Sequence, residues 1–177
     1  METLTFRRAT TDDVPALLEL VTNAYRGEAS RQGWTTEADL IDGQRLDTDV
    51  LRADIDRADS LIILGERGAD LIGCAHIAKD GAETAYFGMF AVRPTGQNQG
   101  DGKRILAEAE RLAVAEWDVR VMRMTVISLR DSLIAFYERR GFRRTGAHKP
   151  FHLDTRFGVP RRDDLRLDVL EKVVRRR

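Results

Sequence analysis

A chain of 177 residues can bury about two thirds of its unfolded surface in one core without staples, and its single cysteine, Cys74, excludes a disulfide framework within it. Its 29 Lys/Arg and 29 Asp/Glu cancel, but unevenly: residues 1–92 hold 9 basic against 17 acidic side chains, and residues 93–177 hold 20 against 12. The basic half attracts polyanions, yet it lacks the interleaved aromatic stripe of a nucleic-acid surface, and no apolar run approaches the roughly 20 residues of a membrane span.

With Phe6-Arg7-Arg8 where a signal peptide would need an apolar core, the chain is expected to be a soluble cytoplasmic protein of one domain, residues 1–177. Thr3 to Arg8 alternates enough for an edge strand. Thr10 or Thr11 then caps a helix whose first turn holds Asp12, Asp13 and Pro15 and whose inner face is Val14, Leu17, Leu18, Val21 and Tyr25. An irregular, partly helical stretch around Trp34 precedes a helix over Thr48 to Ala58, with Val50, Leu51 and Ile55 inward. Leu61–Leu64, Leu71–Ala78 and Thr84–Val92 read as an antiparallel meander, with turns at Arg67-Gly68-Ala69-Asp70 and Lys79-Asp80-Gly81-Ala82. In it Cys74 and His76 are core fillers, the histidine internally satisfied.

A helix over Gly102 to Trp117 buries Ile105, Leu106, Ala109, Leu112 and Ala113. Val119 to Ile127 is a strand, and Ser128 to Arg140 a helix with Leu133, Phe136 and Tyr137 on one side. Strand, helix, strand in that order implies parallel pairing across a right-handed crossover. Phe142–Ala147 and Leu165–Val169 complete the sheet, joined by a long basic loop.

The most informative segment is the junction Phe90-Ala-Val-Arg-Pro-Thr-Gly-Gln-Asn-Gln-Gly-Asp-Gly-Lys-Arg-Ile105: an apolar strand, a Pro stop, a loop of Gly and amides, and a helix start. Unpartnered N–H groups and the helix dipole favour a phosphate there, and glycine at 100 and 102 lets it approach the backbone. A dinucleotide fingerprint needs a further glycine where Ile105 stands. A Walker loop needs Ser or Thr where Arg104 stands and Gly where Gln97 stands. What remains, Gln97-x-x-Gly100-x-Gly102 behind Val92-x-Pro94, resembles the acetyl-CoA loop of the GNAT superfamily of acyl-CoA-dependent N-acetyltransferases. Ala135-Phe136-Tyr137-Glu138-Arg139-Arg140-Gly141-Phe142 resembles the Tyr-Glu-x-x-Gly-Phe signature of the same superfamily, in register 35 residues beyond Gly102.

That resemblance implies an α/β (α+β) fold: a mixed six- to seven-stranded sheet, splayed between its fourth and fifth strands and flanked by helices. It implies acetyl-CoA as cosubstrate, with Phe90, Ala91 and Val92 lending backbone groups to the pantetheine arm. Gln97, Asn98, Gln99, Gly100, Asp101, Gly102 and Lys103 would hold the pyrophosphate, and Phe136 would contact the cofactor. The Phe90 N–H would polarise the thioester carbonyl, a role commonly worth ~3 kcal/mol of barrier, and the Tyr137 hydroxyl would protonate the leaving thiolate. The acceptor is an amine of a small molecule or a protein, met by Tyr25, Arg26, Trp34 and Tyr86, with His148, His152 and Arg156 as further candidates. No His or Cys spacing suggests a metal. Exposed sheet edges and the apolar C-terminal strand leave room for a homodimer.

Two positions depart from the family pattern. Arg130 stands where an asparagine often touches the CoA arm, and an arginine there suits a phosphate instead. Tyr86 stands where some members place a glutamate base, and Glu83 nearby reads as a surface charge. These departures keep a second reading open, an acyl-CoA-binding or sensor domain without catalysis. A nucleotide-binding protein of another fold is the third, and it lacks residues to place magnesium or ribose.

Overall fold

Apolar runs dense in Ile, Leu, Val and Phe set the sheet. The structure is a computed structural model that describes residues 3–26, 31, 36–42, 45–94, 100–151 and 158–175. Its strands are β1 (Thr5–Arg8), β2 (Ser60–Arg67), β3 (Asp70–Lys79), β4 (Thr84–Val92), β5 (Val121–Ile127), β6 (Arg143–Pro150) and β7 (Arg166–Val173). Its helices are α1 (Val14–Tyr25), α2 (Thr48–Asp56), α3 (Asp101–Trp117) and α4 (Asp131–Glu138). The seven strands form one mixed sheet in the order β1-β2-β3-β4-β5-β7-β6, in which β4 and β5 pair in parallel and the rest antiparallel. The α/β architecture expected from the resemblance is the one observed.

Burial on both faces explains why the central strands read as unbroken apolar runs. In β2, Leu61 and Ile63 join Ile105, Leu106 and Ala109 of α3 and Leu133 and Ile134 of α4. The alternate residues Ile62 and Leu64 join Leu17 and Val21 of α1 and Leu51 of α2. Cys74 fills that second core with its thiol 3.4 Å from the Met89 carbonyl, and burial pushes its pKa up to about 12. The His76 Nε2 lies 2.7 Å from the Ser60 hydroxyl, so the histidine is satisfied in the core; burial lowers its pKa.

Several boundaries differ from the sequence reading for local reasons. β2 extends to Arg67, because pairing with β3 continues past an irregularity at Gly65/Glu66. β5 begins at Val121 because the Arg120 and Val121 amides both donate to the Glu83 carbonyl. α4 starts at Asp131 and not at Ser128, whose N–H donates to the Arg166 carbonyl and ties residue 128 to β7. β7 runs to Val173, paired with β5 from Leu167 to Val173. A two-residue ribbon, Ile41–Asp42 against Val159–Pro160, packs Ile41 on Ile127 and Leu165. It carries the segment around Glu37 over the C-terminal end of β5.

At the sheet's outer edge, Arg7 of β1 bridges Asp13 at 2.8 Å and Glu66 of β2 at 2.7 Å. Hydrogen bonds from Arg7, aided by the Thr10 amide, lower the Asp13 pKa from 3.8 to about 2. A depressed carboxylate stabilises the fold above its unfolded pKa and loses that contribution as pH falls through the folded one. Asp13→Asn is therefore expected to flatten the loss of stability between pH 4 and pH 2. Because Arg7 is 44% exposed, screening limits the effect to about 1 kcal/mol, measurable as the pH dependence of the urea midpoint.

Candidate active site

The parallel pairing of β4 with β5 covers Thr84↔Val121, Ala85↔Met122 and Tyr86↔Arg123 and then stops. Beyond Tyr86 the two strands diverge, while β5 stays zipped to β7 as far as Ile127. On its other side β4 carries a bulge: Cys74 pairs with Ala91 and His76 with Gly88, which leaves Met89 and Phe90 opposite the single residue Ala75. Met89 adopts φ +45°, a left-handed conformation uncommon for a side-chain-bearing residue. Two contacts hold the bulge in place: the Cys74 thiol on the Met89 carbonyl and the Tyr25 hydroxyl donating to the Phe90 carbonyl. Tyr25→Phe would leave that carbonyl buried without its donor, a loss of about 1–3 kcal/mol. Differential scanning calorimetry is expected to show a melting temperature lower by roughly 2–12 °C at this chain length.

Into the divergence opens a cavity of about 360 Å³. Phe90, Ala91 and Val92 of β4 form one wall, Leu133 and Phe136 of α4 the other, and Gly100, Asp101, Gly102 and Lys103 its end. Gly100 is the N-cap of α3 at φ +81°, a conformation that favours glycine, and no side chain caps the helix. Among the described residues the first-turn amides of this 17-residue helix therefore have no side-chain acceptor at the cavity. Asp101, almost fully buried, gives both carboxylate oxygens to Arg67 of β2 at 2.8 and 3.0 Å, which pins the helix start to the sheet. Lys103, Arg139 and Arg140 also line this cavity, giving it a cationic rim. The Arg140 guanidinium lies 3.5 Å over the Phe136 ring and donates to the Phe136 carbonyl at 2.8 Å.

The second sequence motif has a plain structural cause. Gly141 takes φ +94° and ends α4, and its turn drives Phe142 into the core at 1% exposure. Phe142 packs edge-on to Tyr137, whose ring also meets Phe87, Phe90 and Phe136 at centroid distances of 5.3–6.3 Å. Burial raises the Tyr137 phenol well above its usual pKa of 10. Tyr137 lines a second cavity, of about 190 Å³, that shares Tyr25, Phe90, Arg130 and Leu133 with the first. Tyr86 and Arg26 also line the second cavity. Tyr86 packs edge-on to His76 at 5.8 Å and its hydroxyl reaches over Gly88, where an added Cβ would meet it at 2.0 Å.

The structure thus brings together Tyr25, Arg26, Tyr86, Phe90, Ala91, Val92, Gly100–Lys103, Arg130, Phe136 and Tyr137. Gln97, Asn98, Gln99, Trp34, His152 and Arg156 lie outside the described residues. Arg130 is buried and its guanidinium meets Glu37 at 3.0 Å and the face of Tyr25 at 5.3 Å. His148 is bound to the Asp168 carboxylate at 2.8 Å and lines neither cavity. Glu83 is a surface residue 3.4 Å from Arg120. Sequence reasoning passed over Arg140, although its i+4 spacing from Phe136 placed both on one helix face. It also missed Glu37 and Arg45, which reach the second cavity from an irregular segment without periodicity. Among the described residues no group of three His, Cys, Asp or Glu is placed to hold a metal ion, and no helix is long and apolar enough to cross a membrane.

A splayed parallel strand pair, a bulge on the other edge of its first strand and a helix start without a side-chain cap at the mouth occur here in one chain with the two motifs. A sequence model of the acetyltransferase (GNAT) family matches residues 17–142, which contain all of these features. The chain belongs to that family. No curated protein matches it in sequence. The GNAT fold extends over the whole chain in solved structures. The Salmonella typhimurium yncA putative acetyltransferase, described with its cofactor acetyl-CoA, superposes with TM-score 0.70 at 20% identity, covering 99% of this chain and 96% of that one. The PaiA N-acetyltransferase of Thermoplasma acidophilum, in complex with coenzyme A, gives TM-score 0.70 at 18% identity over 97% and 99%. The ribosomal-protein-S18-alanine N-acetyltransferase of Escherichia coli gives 0.69 at 16% over 99% and 96%.

Proposed function

We propose that the chain is one N-acetyltransferase domain over residues 1–177 that moves acetyl from acetyl-CoA to an amine by direct attack. The observation that carries this reading is the β4–β5 divergence ending at an uncapped helix start. The slot admits an extended arm, and backbone amides with a cationic rim suit a diphosphate. In this reading the pyrophosphate rests on Gln97, Asn98, Gln99, Gly100, Asp101, Gly102 and Lys103, and the arm runs along Phe90, Ala91, Val92 and Phe136. Arg130, on the wall shared by both cavities, borders the arm while its charge is turned to Glu37. The acceptor enters the second cavity, beside Tyr25, Arg26 and Tyr86, with Trp34, outside the described residues, as a further candidate contact.

The neutral amine nitrogen attacks the thioester carbonyl carbon, and negative charge gathers on the carbonyl oxygen beside the Phe90 N–H. The tetrahedral intermediate collapses with cleavage of the C–S bond, and the thiolate takes the Tyr137 proton. A phenol raised by burial still suits this transfer, because the thiolate appears in the same desolvated pocket and its basicity rises for the same reason. The amine proton leaves to water and the tyrosine is reprotonated from solvent. Glu37 is the one carboxylate lining the second cavity among the described residues, and both its oxygens are engaged in ion pairs with Arg26 and Arg130.

Calorimetry with acetyl-CoA, followed by assay of free thiol with an amine panel, tests the reading. Binding with amine-dependent thiol release is expected. Binding without release by any amine would instead identify an acyl-CoA sensor, and displacement by ATP in preference to CoA would point to a nucleotide site.

A further inference from the structure

Among the described residues, three arginines, Arg26, Arg45 and Arg130, and one carboxylate, Glu37, line the second cavity. Both oxygens of Glu37 are engaged: Oε2 by Arg26 at 3.2 Å and Oε1 by Arg130 at 3.0 Å. Arg45 approaches the same carboxylate only to 3.9 Å and sets its guanidinium 5.1 Å over the Tyr25 ring. Neither contact is a hydrogen bond, so among the described residues the fork of donors on Arg45 is left to whatever enters the cavity. Its side chain is 27% exposed, turned to a space that Tyr86 and Tyr137 also border. A planar, permanently charged fork in a partly desolvated cavity is suited to a carboxylate held by two parallel hydrogen bonds.

From this juxtaposition we infer that the acceptor is an amine that also bears a carboxylate, an aminocarboxylate, and that Arg45 is the residue that holds it. The inference rests on the acyl-transfer reading and names its acceptor class. The same charge sets selectivity in the opposite direction. A polyamine would bring two or more ammonium groups against three guanidiniums, and such like-charge juxtaposition disfavours binding. A carboxylate on the acceptor offsets that field, while the remaining positive potential favours the neutral, nucleophilic form of its amine.

The test compares free L-amino acids, their carboxamides and spermidine as acceptors, in the wild type, Arg45→Gln and Arg45→Lys, with thiol release as the readout. Free acids are expected to exceed their amides at least tenfold in kcat/KM, with spermidine slowest. Arg45→Gln should bring the acid-to-amide ratio to within about twofold, mainly by raising KM for the acid, with the KM for acetyl-CoA unchanged. Arg45→Lys should restore part of the ratio. Amides or spermidine turning over as well as the acids, or an acid-to-amide ratio indifferent to Arg45→Gln, would overturn the aminocarboxylate inference and leave acyl transfer standing. If no amine releases thiol, the acyl-transfer reading fails by itself. The anion site is then decided by the melting temperature with CoA present: a rise with free acids but not amides, lost in Arg45→Gln, supports it, and no such difference refutes it.

Discussion

Gly102→Glu is expected to weaken acetyl-CoA binding by two orders of magnitude or more while the protein remains folded. Gly102 lies in the first turn of α3 and lines the larger cavity. An added Cβ would meet Phe90 Cζ at 3.2 Å, Val92 Cγ2 at 3.5 Å and Phe136 Cζ at 3.7 Å. A methyl group there requires the Phe90 ring to give a few tenths of an ångström, and the helix propensity of alanine over glycine returns up to about 1 kcal/mol. Gly102→Ala should therefore be close to neutral in stability and cost at most a few-fold in affinity. Glutamate adds bulk and a negative charge at the point proposed for the diphosphate. A hundredfold loss, about 2.7 kcal/mol, follows from replacing attraction by repulsion at that position. Calorimetric titration with acetyl-CoA, with circular dichroism to show retained folding, separates the two substitutions. Equal affinity in wild type and Gly102→Glu would remove the phosphate assignment.

The second large effect belongs to Tyr137→Phe, for which turnover should fall at least tenfold, about 1.4 kcal/mol of barrier, with acetyl-CoA affinity kept within about twofold. The ring packs against four aromatic neighbours, all of which phenylalanine preserves. The substitution therefore removes the acid and little else. Because burial lifts the phenol well above 10, Tyr137 stays protonated throughout the working range. The wild-type rate should accordingly rise with pH as the acceptor amine is neutralised, without a decline from loss of the tyrosine proton below pH 10. Single-turnover kinetics across pH 6 to 10 check both parts. Full activity in Tyr137→Phe would assign the tyrosine to packing alone.

What could be read from sequence follows from how local each signal is. The Gly100-x-Gly102 turn and the Tyr137–Phe142 helix end are local devices, a left-handed cap before α3 and a left-handed stop after α4, and short motifs report such geometry directly. The meander was legible because strands buried on both faces leave unbroken apolar runs. Pairing is nonlocal, and boundaries failed where partners set them: β5 loses its first residues to bonds from Arg120 and Val121 to Glu83, and α4 its first turn to the bond from Ser128 to Arg166. The Glu37 cluster was invisible for the same reason. Its arginines come from positions 26, 45 and 130 and meet only because the Ile41–Asp42 ribbon folds that segment over β5. A charge at Arg130 read alone suggested a phosphate, whereas its guanidinium pairs with a carboxylate 93 positions away.

The gap between β4 and β5 is the proposed seat of the thioester carrier. A crystal structure of the protein with CoA tests it most directly. Diphosphate oxygens are expected within hydrogen-bonding distance of the backbone amides at 100–103, with the pantetheine chain passing between β4 and β5 beyond Tyr86. CoA bound elsewhere, or β4 and β5 paired past Tyr86 with the chain excluded, would contradict that placement.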